Sequence, residues 1–139
     1  MTKLNQESGR SMVEMLGVLA IIGVLSIGGI AGYTMAMNRF QANEVLNAAS
    51  MAAILGMSAN GGTGVTEATN YTSLNSGAAL PSGATAISVT VTDGKPSVSI
   101  TASNADVAEA MENIAGNQIE CTGAEGQAAT ACTYTPNAN

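Results

Sequence analysis

The chain has 139 residues, with four Lys and Arg against ten Asp and Glu for a net charge of −6, and it contains no His, no Trp, one Phe and two Cys. That length holds one domain of common size plus a further segment. The acidic balance leaves no basic stripe for nucleic acid. With no His, no nucleophile elbow and no phosphate-binding Gly loop, no catalytic constellation is visible, so neither an enzyme nor a cofactor is expected.

The first element is set by an absence of charge. Met15 to Met37 is a run of 23 uncharged residues, which as a helix spans ~35 Å and exceeds the ~30 Å hydrocarbon core of a bilayer. Lys3 and Arg10 precede the run and an acidic region follows it, which points to a cytoplasmic N-terminus and an exported remainder. Glu14 stands at the mouth of the run. A carboxylate there is costly to insert unless it finds a partner, so a role for it is expected.

The surrounding residues suggest that role. Gly9-Arg10-Ser11-Met12-Val13-Glu14, followed by Met15 to Leu25, resembles the N-terminus of type IV pilins and the related pseudopilins of type II secretion. The resemblance covers roughly the first 35 to 40 residues and includes Ala20-Ile21-Ile22-Gly23 and Tyr33. It implies a leader at residues 1–9, cut by a prepilin peptidase between Gly9 and Arg10, and a mature chain whose fifth residue is Glu14. It further implies that Glu14 pairs with the α-amino group of Arg10, its own or a neighbour's, during assembly into a filament. Arg10 stands where the family usually has Phe or Met, and Ala31 where many members have a helix-breaking Pro. Gly28, Gly29 and Gly32 remain as local weak points, each costing ~1 kcal/mol against Ala.

The helix is expected to continue past the apolar run. Phe40, Val45, Ala48, Ala49, Ala52 and Leu55 recur at helical spacing, with Arg39, Glu44 and Asn47 off that stripe. Asn60-Gly61-Gly62 is a stop signal, so one helix from about Ser11 to Ala59 is predicted, with residues 38–60 amphipathic. The Met51 to Met57 stretch reads as core packing rather than a binding groove. Residues 61–85, rich in Gly, Ser, Thr and Asn without a period, read as a long loop with a short helical turn; Asn70-Tyr71-Thr72 within it matches a glycosylation sequon.

Residues 86–139 carry the strand signals. Ile87, Val89 and Val91 alternate with Ser and Thr, Asp93-Gly94-Lys95-Pro96 turns the chain, and Val98 and Ile100 alternate in return, which predicts a hairpin with one aliphatic face. Ser103 three residues before Asp106 suggests a capping box. It opens a helix whose core face is Val107, Ala110, Met111 and Ile114 and whose outer face is Asp106, Glu109 and Glu112, ending at Gly116. Ile119 to Thr122 and Ala131 to Tyr134 read as two further strands. Cys121 and Cys132 are expected to form a disulfide, since an even count in an exported domain reads that way and a zinc site lacks ligands. Such a C-terminal bridge is more like type IV pilins than major pseudopilins.

The fold class that follows is α+β: a long N-terminal helix, its first half (10–37) transmembrane, its second half packed on a small antiparallel sheet with a short extra helix and a C-terminal disulfide loop. The expected function is a structural subunit of a type IV pilus-like filament. It would be made as an inner-membrane precursor, with the prepilin peptidase, the pilus assembly machinery, the bilayer and copies of itself as partners, and without nucleic acid. Adhesion, motility, secretion and DNA uptake all stay open. So do a pseudopilin or minor pilin, a permanently anchored surface protein, and a secreted acidic protein whose signal peptide is cut after Ser26-Ile27-Gly28.

Overall fold

The computed structural model of the chain describes residues 2–123 and 129–136, with side chains from Ser11 onward. It divides into two compact units, Met1–Ala36 and Met37–Asn139. Helix α1 (Thr2–Gly62) belongs to both, and each unit is governed by different packing.

In the first unit the helix is unbroken. Backbone angles leave the helical region only much later, at Ala59, Asn60 and Gly61. Gly28, Gly29 and Gly32 therefore do not interrupt it: without Pro, every amide keeps its donor, and a glycine weakens the ladder without removing a rung. The hydroxyls inside the apolar run bond back onto the helix. Ser26 Oγ donates to the Ile22 carbonyl at 2.7 Å and Thr34 Oγ1 to the Ile30 carbonyl at 2.9 Å. These bonds satisfy both hydroxyls within the helix itself.

In the second unit, α1 buries a stripe of small residues: Ala42, Val45, Ala49, Ala52, Ala53 and Gly56. Their small size brings the helix backbone close to the sheet. A Cβ at Gly56 would come within 2.8 Å of Val89 Cγ1. Phe40, expected on this stripe, is instead 58% exposed, because it lies about 200° around the helix from Ala42. Leu55 is only half-buried. The helix ends as the sequence implies, with Asn60 in the left-handed region (φ 54, ψ 38), a conformation that Asn tolerates better than most residues. Gly64 N then donates to the Ala59 carbonyl at 3.1 Å and Val65 N to the Gly56 carbonyl at 3.0 Å.

The connection to the sheet has more structure than its composition suggests. Strand β1 (Thr69–Asn70) pairs with β2 (Ala84–Thr92), and α2 (Tyr71–Leu74) follows directly, with Tyr71 buried. The buried ring supplies the apolar anchor that a Ser/Thr/Gly segment otherwise lacks.

The five strands form one antiparallel sheet in the order β1-β2-β3-β5-β4, with β3 at Lys95–Ala102, β4 at Ile119–Thr122 and β5 at Ala131–Tyr134. The β2–β3 turn is tighter than the four residues Asp93 to Pro96 that the sequence suggests. Asp93 and Gly94 alone make it, both at positive φ (52° and 75°), and Thr92 faces Lys95 in register. Two such residues give the turn whose twist matches that of the strands, which leaves Lys95 and Pro96 inside β3. Ile87, Val89, Val91, Val98 and Ile100 all point into one buried cluster shared with the α1 stripe and with Val107, Ala108 and Met111 of α3 (Ala105–Ala115). No polar or charged side chain is buried among the described residues.

Helix α3 differs from expectation at both ends. Its cap is Asn104, whose Oδ1 accepts from Val107 N at 3.0 Å, rather than Ser103. Ile114 stands 45% exposed while Ala108 takes the core position. Gly116 ends the helix at positive φ, and one turn of 3-10 helix (Gly116–Gln118) leads into β4.

Candidate functional site

Three features of the described residues carry chemistry or an interface. The apolar half of α1 is the largest. Every large apolar side chain from Met12 to Met35 is more than half exposed. The segment is long and apolar enough to cross a membrane, and none of its most apolar stretch is buried. Each such side chain contributes ~1.5–3 kcal/mol when it leaves water, so the helix as a free surface is strongly disfavoured in an aqueous setting. The polar exception is Glu14, exposed on the same helix. Gly9 and Arg10, the expected processing point and the expected partner of Glu14, lie outside the residues whose side chains are described.

The second feature is the bridge between Cys121 and Cys132, which joins directly opposed residues of β4 and β5 with Cα atoms 4.0 Å apart. It forms as the cysteine count implies. Around it, the sheet edge is closed from α3: Cys121 N donates to Glu112 Oε1 at 3.0 Å. An edge amide engaged in this way is unavailable for pairing with another strand. Glu112 therefore has a local structural task, whereas Asp106 and Glu109 on the same helix face outward. The described residues contain no group of three or more Cys, Asp or Glu placed to hold a metal ion.

The third feature was not anticipated. Within the Met51 to Met57 stretch, Ala52 and Ala53 pack in the core as the sequence implies, whereas Met51, Ile54 and Met57 flank them and are 49%, 63% and 37% exposed. Ile54 and Met57, with Ser50 and Ala53, form one wall of a groove of about 770 Å³ within the second unit, whose other wall is Gly94-Lys95-Pro96 and Tyr134-Thr135-Pro136. Tyr134 and Ser50 tie the floor together, with their hydroxyl oxygens 3.4 Å apart. Elsewhere in the second unit, Asn75 Nδ2 donates to Tyr71 Oη at 2.8 Å, and that hydroxyl in turn points at Met51 Sδ, 3.8 Å away. The signal for the groove was present in the sequence. Ile54 and Met57, large apolar residues spaced by three beside a stripe of mostly small ones, cannot share the stripe's close approach to the sheet.

Comparison of the chain with family models, with curated proteins and with solved structures finds no match.

Proposed function

We propose that the chain is a structural subunit of a type IV pilus-like filament, made as a membrane-anchored precursor, cut after Gly9 and polymerised through the helix that begins at Arg10. One observation carries the reading: Glu14, five residues beyond Gly9, sits at the mouth of an apolar helix whose whole circumference is exposed. A bilayer satisfies the apolar surface but not the carboxylate. A bundle of like helices satisfies both, because the apolar faces pack on each other and each Glu14 meets a new α-amino group at Arg10.

The physics favours transfer from lipid to bundle. An isolated carboxylate at the edge of a low-dielectric region keeps a solvation deficit that a close opposite charge offsets, and the attraction strengthens as water is excluded. The pairing also fixes axial register, since a subunit displaced by one turn brings the two charges apart. The Ser26 and Thr34 hydroxyls need no outside partner, so the same helix is stable in either environment. The disulfide suits a head that works outside the cytoplasm.

The test is the intact mass and N-terminal sequence of the protein recovered from membranes and from sheared cell surfaces. A mature start at Arg10 in sheared filaments is the expected result. A start at Gly29 would identify a secreted protein with an ordinary signal peptide, and an uncut Met1 a permanent anchor; either overturns the reading.

A further inference from the structure

The head is nearly all one sign. Beyond Arg39 its only cation is Lys95, against Glu44, Glu67, Asp93, Asp106, Glu109, Glu112, Glu120 and Glu125. Copies brought side by side repel wherever two such surfaces meet, unless the contact is made at Lys95. That residue is exposed on the rim of the groove whose apolar wall is Ile54 and Met57. Asp93, two residues away across the turn, is the nearest acid in sequence and shares the exposed hairpin tip.

The matching surface lies elsewhere on the same chain. The outer ridge of α3 presents Asp106 and Glu109, both exposed; Ile114, about 80° round the helix from Asp106, is an aliphatic side chain left 45% exposed where a core residue was expected. Glu112 is engaged with the Cys121 amide, which leaves Asp106 and Glu109 as the acids free to turn outward. A helix of this length spans ~16 Å.

We infer that the groove between α1 and the β2–β3 turn receives the α3 ridge of a second copy, with Lys95 facing Asp106 or Glu109 and Ile114 seated against Ile54 and Met57. Groove and ridge are different patches of one chain, so the contact is head-to-tail and repeats without closing, as a filament requires. The inference rests on the subunit reading above and adds the surface through which heads meet.

Cleavage after Gly9 removes Lys3 and leaves Lys95 as the one lysine of the mature chain, which makes a direct test. Cells carrying an equal mixture of isotopically labelled and unlabelled full-length chain are treated with a carbodiimide, which joins an amine to a carboxylate only where they touch, and cross-linked peptides are identified by mass. Mixed-isotope peptides joining Lys95 to Asp106 or Glu109 are expected. Lys95→Arg should abolish that product and keep filaments, since the guanidinium holds the charge but does not couple. Lys95→Glu should cut filament yield by about tenfold, with Glu109→Lys restoring it in the double variant. Filaments in which Lys95 couples to other carboxylates, or to none, overturn this contact and leave the subunit reading standing. Absence of both filaments and copy-to-copy products overturns both.

Discussion

The two halves of α1 have the same secondary structure and opposite packing logic. From Met12 to Met35 the large side chains are exposed all round the helix, and the glycines Gly17, Gly23, Gly28, Gly29 and Gly32 have nothing within 4 Å of where a Cβ would stand. From Ala42 to Gly56 the buried face is almost entirely small, and the one glycine on it has the sheet against it. The first half is unsatisfied by its own chain and must be completed from outside. The second is completed by its own sheet, and its backbone approach is set by residues that have almost no side chain. A property that looks alike in sequence, a glycine or alanine in a helix, thus means room for a neighbour in one half and contact already made in the other.

The largest effect should come from the half that needs outside partners. On the proposed pairing, Glu14→Ala leaves the α-amino group of Arg10 without its counter-charge in the bundle, a cost of ~3–5 kcal/mol. Filament recovered from the surface should fall by about a hundredfold or more, with export and cleavage retained. Immunoblots of sheared and membrane fractions read both quantities. Wild-type yield would remove the charge pairing. The melting temperature of the head should not move, since Glu14 is outside the unit that contains the core.

A smaller effect belongs to the half that is self-contained. Replacing Cys121 and Cys132 together with Ser opens a loop of sequence separation 11, worth ~3 kcal/mol in the chain-entropy model. For a head of this size the melting temperature should drop by on the order of 15 °C. Calorimetry of the full chain in detergent measures it, and an unchanged transition would show that the bridge adds nothing to the head's stability. The buried cluster holds aliphatic residues, alanines, Met111, Cys132 and two tyrosines, with no Phe or Trp, so little else is available to make up the loss.

Much of the head was legible because its signals are periodic. Alternation from Ile87 to Ile100 around Asp93-Gly94 gave the hairpin, and the strands holding Cys121 and Cys132 came out with the bounds the sequence suggested. What escaped were features decided by tertiary fit. Phe40 reads as a helix-core residue by hydrophobicity, but the face that meets the sheet runs through Ala42, Val45 and Ala49, and Phe40 lies on the opposite side of the helix. Ser103 and Asn104 are both good caps, and only the backbone path chooses Asn104. The β1 pairing depends on Val89 and Ser88 lying opposite Thr69 and Asn70, a contact no local pattern encodes. For the candidate site, Glu14 and the cysteines were visible as residue types at telling positions. Exposed apolar residues at Ile54 and Met57 hint at one wall of the groove, but its other wall, Gly94 to Pro96 and Tyr134 to Pro136, is distant in sequence and is brought there only by the fold.

The finest test applies one substitution to both halves. At Gly56 an added Cβ would lie 2.8 and 2.9 Å from the two γ-carbons of Val89, whose branched side chain is held inside the core and cannot swing aside. Gly56→Ala gains ~1 kcal/mol of helix propensity but forces helix and strand apart, an overpacking cost of ~1–3 kcal/mol, so the head should melt a few degrees lower. Gly28→Ala adds the same methyl where nothing lies within 4 Å, so the propensity gain is unopposed and the head's melting temperature should stay unchanged. If both variants stabilised, the close approach at Val89 would be softer than the geometry implies, and the small-residue stripe would reflect helix propensity rather than fit. If Gly28→Ala left the subunit intact but reduced filament yield, the open space at that glycine would be space that a neighbouring helix fills.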